Sequence, residues 1–426
     1  YKIPLSKVLE KCSSVREGVF GHGSTISTNA IIEGRTAKTG LICTKGFRDV
    51  LTIREGGKED PYNWDVDYPP PYVPRYLTLP VTERINSEGG VEVPLNEDEV
   101  RQAIQQFKNW NVKAIAVSLL WSIANPIHEL RIGEIIKKEW AEIPYTLSHQ
   151  LNPVIREYRR TSSAVINASL GPLISKYVSD LDSRLKKEGY LGELSLLTST
   201  GGVMSVKELI EKPIYSVDCG PAMAPVAGKA FAVRELVKNN VITIDMGGTS
   251  FDVSCVTQGE ISISREAKIN THILGINKVY SRSIGAGGGS ISWVDPGGLL
   301  HVGPRSAGAV PGPACYGRGG KDATVTDANV TLGYIDPDYF LGGAMKLNRR
   351  LSEEAIQKNV GNPLNLELTE AAFSIWNTVN INMVTAIRDI TIWQGIDPRE
   401  YLLVSGGGAA GLHFIPIKRK LEMKQA

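Results

Sequence analysis

The sequence predicts an α/β fold, because amphipathic helices alternate with short apolar strands along the chain. The clearest example starts at Asn96, which we expect to cap a helix with Glu99 as its capping-box partner. An apolar strand within Val112–Trp121 follows, and a second amphipathic helix and a short extended segment come next. The buried face of the first helix is predicted to consist of Val100, Ile104 and Phe107.

Other parts of the chain extend this α/β pattern. We expect an irregular surface loop over Arg54–Tyr76, where Pro, Asp and Tyr occur without a period. A long helix after the first layer is predicted to be interrupted near Gly171 and Pro172. A second long helix, late in the chain, is predicted to be capped by Thr369 and to end at Gly395.

The overall composition is that of an ordinary globular protein and excludes several classes. The 426 residues are 42% apolar and 22% charged, and their formal net charge is +2. Because no long basic run occurs, nothing indicates binding of nucleic acid or of an anionic membrane. No apolar run approaches the length of a membrane span, and the first residues do not form a signal peptide. Five scattered cysteines, including Cys12, form no C-x-x-C pair and predict free thiols in a reducing, cytoplasmic compartment.

The segment VITIDMGGTSFDVSCV carries the first candidate site. We interpret it as two strands of a three-strand meander, joined by a glycine turn that holds phosphate. Gly247 and Gly248 lack a Cβ, so they could adopt positive φ and let successive amides of the turn point at one anion. The hydroxyl of Thr249 adds a donor, and Asp245 is placed to bind Mg²⁺ through water and to act in catalysis. Asp252 is expected to cap the turn or support the metal site, whereas the alternative for the whole segment is a plain hairpin.

A second glycine loop follows a buried strand near the end of the chain, in LLVSGGGAAGLH. Gly406, Gly407 and Gly408 leave room for a flat nucleobase and ribose against the main chain. The spacing fits neither the dinucleotide-binding pattern nor the Walker pattern, so alone the loop is equally a tight strand-to-helix turn. Together with the meander, it resembles the divided nucleotide site of the actin-like ATPase superfamily.

A third cluster, residues 283–333, is rich in glycine and proline but also contains bulky side chains, which predicts a rigid loop system and not a linker. Gly287 and Gly288 in this cluster are predicted to contact the nucleotide. Asp327 is predicted to face the nucleotide or substrate and to act in catalysis, the alternative being that it caps the next helix. The other polar candidates of the cluster are Asp295, Arg305 and Arg318.

The remaining polar residues give weaker signals. The six histidines lack H-x-x-x-H spacing, and whether a transition metal binds is left open. His22 lies on a glycine turn and is a candidate polar site residue, while His128 and Glu129 are expected to cap a helix. The stretch Arg156–Thr161 supplies three arginines, either on a solvated or ion-paired helix face or for anion guidance or subunit contact. No histidine partner is apparent for Cys315, which we do not expect to be a nucleophile.

Nine stretches of the sequence, in order along nearly the whole chain, resemble the hydantoinase A / 5-oxoprolinase family. They read GHGSTISTNAIIEG, KTGLICTKGFRDVL, NPIHE, REYRRTSSAVINA, IDMGGTSFDVS, GAGGGSISWVD, VGPRSAGAVPGPACYGRGG, TVTDANVTLG and SGGGAAGLH. The resemblance implies an actin-like (ribonuclease H-like) two-lobed ATPase fold, with ATP and Mg²⁺ used to activate an unreactive oxygen by phosphorylation. In this reading Gly406–Gly408 match the adenosine motif. The residues that match the second phosphate motif are Asp245, Gly247, Gly248, Thr249 and Asp252.

The resemblance also implies two lobes, the first over residues 1–240 with an inserted substrate-side region and the second over residues 241–426. The family's first phosphate motif, another Asp-x-Gly-Gly-Thr hairpin, has no counterpart here, because the chain starts after it. Family chains also continue well past the GLH segment. We therefore expect the sequence to be incomplete at both termini and the predicted site to be partial.

Within the family, the stretch after GFRDVL differs from hydrolase members and is similar to subunits of the acetophenone and acetone carboxylases. The resemblance therefore implies a subunit of an ATP-dependent carboxylase, a ligase that activates an acetophenone-like ketone or bicarbonate before a C–C bond forms. It also implies assembly with a hydantoinase B-like subunit. Two alternatives are an ATP-dependent lactam hydrolase of the hydantoinase or 5-oxoprolinase type and a non-catalytic actin-like scaffold.

Overall fold

The computed structural model describes residues 20–56, 62–236, 239–265 and 267–426, together with Lys7. Cys12 and part of the predicted loop Arg54–Tyr76 lie outside these residues. Among the described residues, no helix has the length and apolar character that crossing a bilayer requires.

The strands of the described chain are numbered in sequence order. They are β1 (Phe20–His22), β2 (Thr39–Thr44), β3 (Thr78–Val81), β4 (Arg84–Ile85), β5 (Val91–Val93), β6 (Ala114–Ser118), β7 (Tyr145–Leu147), β8 (Leu194–Leu197), β9 (Val203–Ser205), β10 (Val241–Met246), β11 (Phe251–Thr257), β12 (Glu260–Ile261), β13 (Ile263–Ser264), β14 (Ala267–Ile269), β15 (His272–Leu274), β16 (Lys278–Val279), β17 (Ser281–Ile284), β18 (Ser290–Val294), β19 (Leu300–Ser306) and β20 (Leu402–Gly406).

The α-helices are numbered in the same way. They are α1 (Ile26–Ile32), α2 (Val50–Ile53), α3 (Glu97–Asn109), α4 (Ile127–Glu139), α5 (Ser148–Leu151), α6 (Glu157–Lys187), α7 (Val206–Glu211), α8 (Cys219–Leu236), α9 (Val325–Thr331), α10 (Arg349–Ile356), α11 (Asn362–Leu364), α12 (Leu368–Ile390) and α13 (Phe414–Lys420). Short 3₁₀ or π turns connect several of them, at Arg75–Leu77, Pro213–Ser216, Ala314–Tyr316, Gln357–Gly361, Ile392–Gln394, Pro398–Glu400 and Ala410–Leu412.

The chain divides into two compact units. Unit 1 comprises Tyr1–Gly220 and Ile263–Lys278, and unit 2 comprises Pro221–Ser262 and Val279–Ala426. This division differs from the predicted lobe boundary after residue 240, because most of α8 groups with unit 2. Ala232 of α8 packs with buried apolar side chains of the unit 2 sheet, namely Val241, Val256 and Leu402.

Unit 1 is built on a four-stranded parallel sheet in the order β3-β2-β6-β7. Every residue of β2 and β6 is buried, and α3, α4 and α6 contact the sheet. Such apolar strands are expected where helices cover a parallel sheet. The predicted α/β class is therefore confirmed.

The predicted cap of α3 is confirmed, but its capping box is wrong. The Asn96 side chain accepts hydrogen bonds from the amides of Asp98 and Glu99. The Glu99 carboxylate instead accepts from the amide (2.6 Å) and the hydroxyl (3.1 Å) of Thr82. Thr82 follows β3, so the sheet supplies a donor that the local sequence does not reveal. The predicted buried face is confirmed, since Val100, Ile104 and Phe107 are all buried.

The predicted interruption of the first long helix is wrong. α6 runs without a break for 31 residues and includes Pro172. Proline removes one hydrogen bond of the helix, but Leu170 and Ile174 on either side of it are buried in the unit 1 core. Burial of these side chains favours the continuous helix.

Unit 2 contains a mixed sheet with β10 at its centre. β10 is antiparallel to β11 and parallel to β20. The predicted three-strand meander is only partly right, because β12 pairs with two residues of β11. β17, which follows later in the chain, pairs with the rest of β11 over Phe251–Ser254.

The helix α12 packs its apolar face into the core of unit 2. Its N-cap residue is Glu367, with no side-chain cap, so the predicted cap at Thr369 is wrong. The helix ends at Ile390, and a 3₁₀ turn continues to Gly395, which has a left-handed conformation with φ of 77°. Gly395 therefore ends the helical segment, as predicted.

Candidate functional site

The two predicted glycine segments lie at the same edge of the unit 2 sheet. In the antiparallel pair, Asp245 of β10 lies opposite Asp252 of β11. In the parallel pair, Asp245 lies opposite Gly406 of β20. Both loops therefore leave the sheet beside Asp245, although more than 150 residues separate them in sequence.

The turn after β10 is exposed and closed by one hydrogen bond. Gly247 donates its amide hydrogen to the carbonyl of Ser250 at 3.2 Å. The predicted positive φ of Gly247 and Gly248 is wrong, since neither glycine is left-handed. A Cβ added at either position would meet no atom within 4 Å. What the two glycines provide is open space beside the main chain.

Residues 287–289 fix this turn from behind. Gly288 donates to the carbonyl of Gly247 at 3.0 Å, and Gly289 donates to the carbonyl of Gly248 at 2.7 Å. A Cβ at Gly287 would collide with the amide nitrogen of Thr249. Gly287 and Gly288 are buried, so the structure corrects their predicted role from contacting a nucleotide to supporting the turn.

The supporting hydrogen bonds determine where two amides point. In a trans peptide the carbonyl and the following N–H lie on opposite sides. Because the carbonyls of Gly247 and Gly248 face residues 287–289, the amides of Gly248 and Thr249 point away from them. Neither amide has an acceptor among the residues that the structure describes. Two adjacent free amides of this kind form an anion-binding concavity.

Asp245 places a carboxylate beside these amides. It is half-buried, and within the described chain its side chain accepts no hydrogen bond. A Cβ at Gly407 would collide with the Asp245 Oδ1 atom and the Met246 carbonyl, and Gly407 has a φ of 87°. The loop is also held by a 3.0 Å hydrogen bond from the amide of Ala409 to the carbonyl of Met246. Only glycine therefore fits at position 407 without strain.

This arrangement fits a phosphorylated ligand. The amides supply donors, and the glycines at 247, 248 and 406–408 are exposed. No group of three or more His, Cys, Asp or Glu residues in the described chain could hold a metal ion. A Mg²⁺ ion at Asp245 would thus depend on water and ligand oxygens, which is its usual behaviour in proteins.

Asp252 and Thr249 complete the predicted set at the turn. Asp252 is half-buried on β11 and accepts a 3.2 Å hydrogen bond from the hydroxyl of Ser250. Asp252 therefore stabilises the turn, which agrees with the first of its two predicted roles, capping the turn or supporting the metal site. Thr249 is exposed at the tip of the turn.

Asp327 is a structural residue, and its predicted catalytic role is corrected. Its side chain is 0% exposed, and both its amide and its carboxylate take part in a capping box with Thr324. The carboxylate also accepts hydrogen bonds from the amides of Ala314 (3.1 Å) and Cys315 (2.8 Å) and from the hydroxyl of Ser352 (2.8 Å). With both oxygens used and no exposed surface, Asp327 is the buried capping-box partner of Thr324, which is the N-cap residue of α9. The alternative that Asp327 itself caps the helix is therefore only partly right.

The other polar candidates of the 283–333 cluster make no hydrogen bond or ion pair with residues 245–249 in the described chain. Asp295 accepts hydrogen bonds from the amides of Gly297 and Leu299 and pairs with His301, which lowers the pKa of its carboxyl group. Arg305 is exposed. Arg318 lies over the ring of Tyr316. Asp295 thus organises a surface turn.

Two further candidate side chains are partly or fully buried within their own units. Cys315 is fully buried, and burial raises the pKa of its thiol, so it is not a nucleophile. His22 bonds to the Tyr177 hydroxyl at 2.7 Å, and burial lowers the pKa of its imidazole.

The predicted capping role of His128 and Glu129 is wrong. His128 pairs with buried Glu83 at 2.8 Å. Glu129 is 0% exposed and accepts hydrogen bonds from Leu119, Ser148 and His149. Glu83 and Glu129 therefore belong to buried polar networks of unit 1, and their hydrogen-bond partners come from distant parts of the sequence.

Sequence analysis missed two residues that shape the site. Gly289 holds the turn through its amide, and Ala409 holds the second loop through its amide. The run of three glycines at 287–289 was the available signal for the first. Nothing in the local sequence distinguishes Ala409.

Two family models match the chain. The hydantoinase/oxoprolinase model matches residues 160–426, and the model of the hydantoinase/oxoprolinase N-terminal region matches residues 5–140. Together they include every residue assigned to the turn and to the second glycine loop.

Curated relatives cover nearly all of this chain. The caprolactamase subunit alpha of Pseudomonas jessenii is 40% identical over 405 residues, which are 95% of this chain and 58% of the relative. The acetophenone carboxylase gamma subunit of Aromatoleum aromaticum is 35% identical over 418 residues, which are 95% of this chain and 57% of the relative. This chain thus spans slightly less than three fifths of these relatives.

Two solved structures have the same fold. The ATP-dependent caprolactamase from Pseudomonas jessenii has a TM-score of 0.87 and 38% identity, and the match covers 98% of this chain and 60% of that one. The nucleotide-free acetone carboxylase has a TM-score of 0.76 and 30% identity, and the match covers 95% of this chain and 58% of that one. The chain therefore belongs to the hydantoinase/oxoprolinase family.

Proposed function

We propose that unit 2 binds the phosphates of ATP at the turn 247–249 and the rest of the nucleotide at Gly406–Gly408. The observation that carries this proposal is the pair of free amides, Gly248 and Thr249, beside the unpartnered carboxylate of Asp245. The names of two relatives support ATP use, since the solved caprolactamase is ATP-dependent and the solved acetone carboxylase is described by ATP-dependent carboxylation. An actin-like arrangement of the lobes is part of the same proposal.

In this proposal each residue has a defined task. The amides of Gly248 and Thr249 bind phosphate oxygens and hold them in one orientation, which costs no rearrangement because residues 287–289 already fix the turn. Asp245 would hold Mg²⁺ through a water ligand. Bound MgATP supplies a phosphoryl group that converts a poor leaving oxygen of the substrate into a good one.

We propose a cyclic amide as the first candidate substrate and a ketone or bicarbonate as the second. Both relatives above would phosphorylate a carbonyl-type oxygen in this scheme, so the same turn serves either reaction. The caprolactamase subunit is 40% identical and the acetophenone carboxylase subunit 35%. The solved caprolactamase and the solved acetone carboxylase have TM-scores of 0.87 and 0.76. These values favour lactam hydrolysis over the ketone carboxylation that the sequence resemblance suggested.

We further propose that the protein works in a hetero-oligomer with a hydantoinase B-like subunit. The names of the relatives support this, because each describes a subunit of a larger enzyme. In this proposal the partner subunit supplies the rest of the active site, and this chain binds the nucleotide.

The test compares ATP turnover with three additions: ε-caprolactam, 5-oxoproline, and acetophenone with bicarbonate. We expect MgATP binding by the chain itself and substrate-dependent ADP release by the assembled enzyme. Stimulation by a lactam supports the first candidate, and stimulation only by acetophenone with bicarbonate supports the second. Absence of MgATP binding by calorimetry would contradict both and favour the non-catalytic scaffold.

A further inference from the structure

The arginine stretch that opens α6 has three different environments. Arg160 is buried and donates to the carbonyls of Leu119 (2.8 Å) and Val154 (2.9 Å), so it is structural. Arg159 pairs with Glu55 at 2.9 Å. Arg156 has no hydrogen bond or ion pair with any residue that the structure describes. Arg159 is therefore ion-paired as one alternative predicted, Arg160 has neither predicted role, and Arg156 has no partner among the described residues.

Arg156 lies at the wall of a cavity in unit 1 with a volume of about 510 Å³. Arg265, on the segment that joins unit 1 later in the chain, lies in the same wall and also has no partner within the described residues. No described Asp or Glu lines this cavity. Three guanidinium groups, counting Arg159, thus line the cavity, and Arg159 is paired with the carboxylate of Glu55.

The backbone at Arg156 supports a functional role. Its φ is 82°, in the left-handed region that a non-glycine residue rarely adopts. Such strain persists where the surroundings require it, and it concentrates at binding sites. Arg156 is also the N-cap of the 31-residue helix α6, and no side chain caps that end. The partial positive charge of the helix terminus adds to that of the arginines.

The rest of the wall is mainly apolar. Tyr215 is half-buried, and its hydroxyl makes no hydrogen bond in the described chain. Burial raises the pKa of this phenol, so it remains a donor at neutral pH. The aliphatic part of the wall includes Leu151, Val154 and Ile276. A cationic end with an apolar body is typical of a site for an organic anion.

We propose that this cavity binds a small organic carboxylate, whose charged end pairs with Arg156 and Arg265 and whose apolar body lies against Tyr215 and the aliphatic wall. Planar guanidinium groups match the geometry of a carboxylate and lose little entropy in binding it. The volume accommodates an acid of about six carbon atoms within the range of small-molecule sites. The inference does not rest on the proposed function, because the cavity residues belong to unit 1 and the nucleotide residues to unit 2.

The test is calorimetric titration of the full chain with sodium hexanoate, 1-hexanol and inorganic phosphate at low ionic strength. We expect hexanoate to bind and both other probes to bind at least about tenfold more weakly, since each lacks one of the two recognised features. Arg156→Gln and Arg265→Gln should each weaken hexanoate binding about tenfold or more. The matched control is Arg101→Gln, an exposed arginine of unit 1 outside the cavity, which should leave binding unchanged.

Several outcomes would overturn this proposal. They are absence of hexanoate binding, equal affinity for phosphate or hexanol, or unchanged affinity in both cavity variants. Thermal unfolding checks that the variants are folded. If the strained position 156 does not tolerate substitution, the affinity of Arg265→Gln alone tests whether the cavity arginines bind hexanoate. MgATP binding, measured on the same samples, should be unaffected by either variant, so a failure here is distinguishable from a failure of the nucleotide proposal.

Discussion

Asp245 lies opposite Gly406 in the parallel pair of β10 and β20, and its carboxylate lies against the position that a side chain at Gly407 would need. The register brings an acid from one strand end to a glycine loop from another. Removal of this carboxylate should therefore affect the proposed Mg²⁺ site and not the fold.

We expect Asp245→Asn to lower ATP turnover about a hundredfold, the size of effect seen when one electrostatic group of an active site is lost. The free energy of unfolding should hardly change, because the carboxylate accepts no hydrogen bond within the described chain. Coupled-assay kinetics and chemical denaturation measure the two effects. Asp338→Asn, an exposed acid paired with Lys346, is the matched control, and equal turnover in the two variants would refute the assignment.

Gly407 and Gly408 allow a paired test of the second loop. Gly407→Ala should lower the free energy of unfolding by about 1–3 kcal/mol, because the residue has positive φ and no room for a Cβ. Gly408→Ala should have little effect on stability, since a Cβ there meets open space. Denaturant titration of both variants separates these results. Equal stability of the two variants would contradict the described loop geometry.

The turn and its support should respond differently to alanine. Gly287→Ala should destabilise the protein by about 1–3 kcal/mol, as overpacking generally does, because its Cβ would collide with Thr249. Gly248→Ala should leave stability within about 0.5 kcal/mol but weaken MgATP binding, since its methyl group enters the open space of the site. Calorimetry and denaturation on both variants distinguish support from contact. A stable Gly287→Ala protein would contradict the supporting role.

Asp327 should matter for stability alone. Asp327→Asn replaces an acceptor oxygen by a donor opposite amides that already donate, so we expect a loss of about 2–5 kcal/mol. The hydrogen bonds concerned come from Ala314, Cys315, Thr324 and Ser352. Protein that remains folded should bind MgATP normally, and selective loss of binding without loss of stability would restore a direct role.

Stability should also depend on pH through His413. This side chain is 0% exposed, and burial lowers its pKa to about 4 from the ordinary value of 6.5. The folded state therefore resists protonation while the unfolded state accepts it. The contribution of His413 is complete above pH 6.5 and is lost as pH falls towards 4, by about 3 kcal/mol in total.

Denaturant titrations at several pH values measure this loss. His413→Gln should reduce the dependence without abolishing it, because burial also lowers the pKa of His272 to about 4. The unaltered protein, titrated at the same pH values, provides the reference. An unchanged pH dependence in His413→Gln would show that the imidazole is not the group that titrates.

The features predicted correctly from the sequence are turns and caps that depend only on neighbouring residues. The turn after β10 and the loop after β20 each consist of several glycines that follow an apolar strand. A glycine run of this kind can be recognised without knowledge of the fold. The Asn96 cap is equally local. These patterns correctly predicted that both glycine segments follow the ends of strands.

The errors arose where a distant partner decides the outcome. Asp245 and Asp327 are both catalytic candidates from the sequence, and only the groups that converge on Asp327 reveal it as the buried partner of a capping box. The Glu99 carboxylate bonds to Thr82 and not to the backbone of Asn96, as the predicted capping box required. Burial of neighbouring side chains in the core favours a continuous α6 through Pro172. All of these partners are too distant in the sequence for a local residue pattern to indicate them.

The anion-binding concavity at residues 248 and 249 is made of peptide groups held by other peptide groups. Peptide groups neither titrate nor oxidise under physiological conditions, so acidity and redox state leave their donors in place. Replacing a neighbouring side chain removes no donor either. In the proposed site, selectivity for the acceptor molecule could therefore be altered by exchanging surrounding side chains while the phosphate contacts are retained.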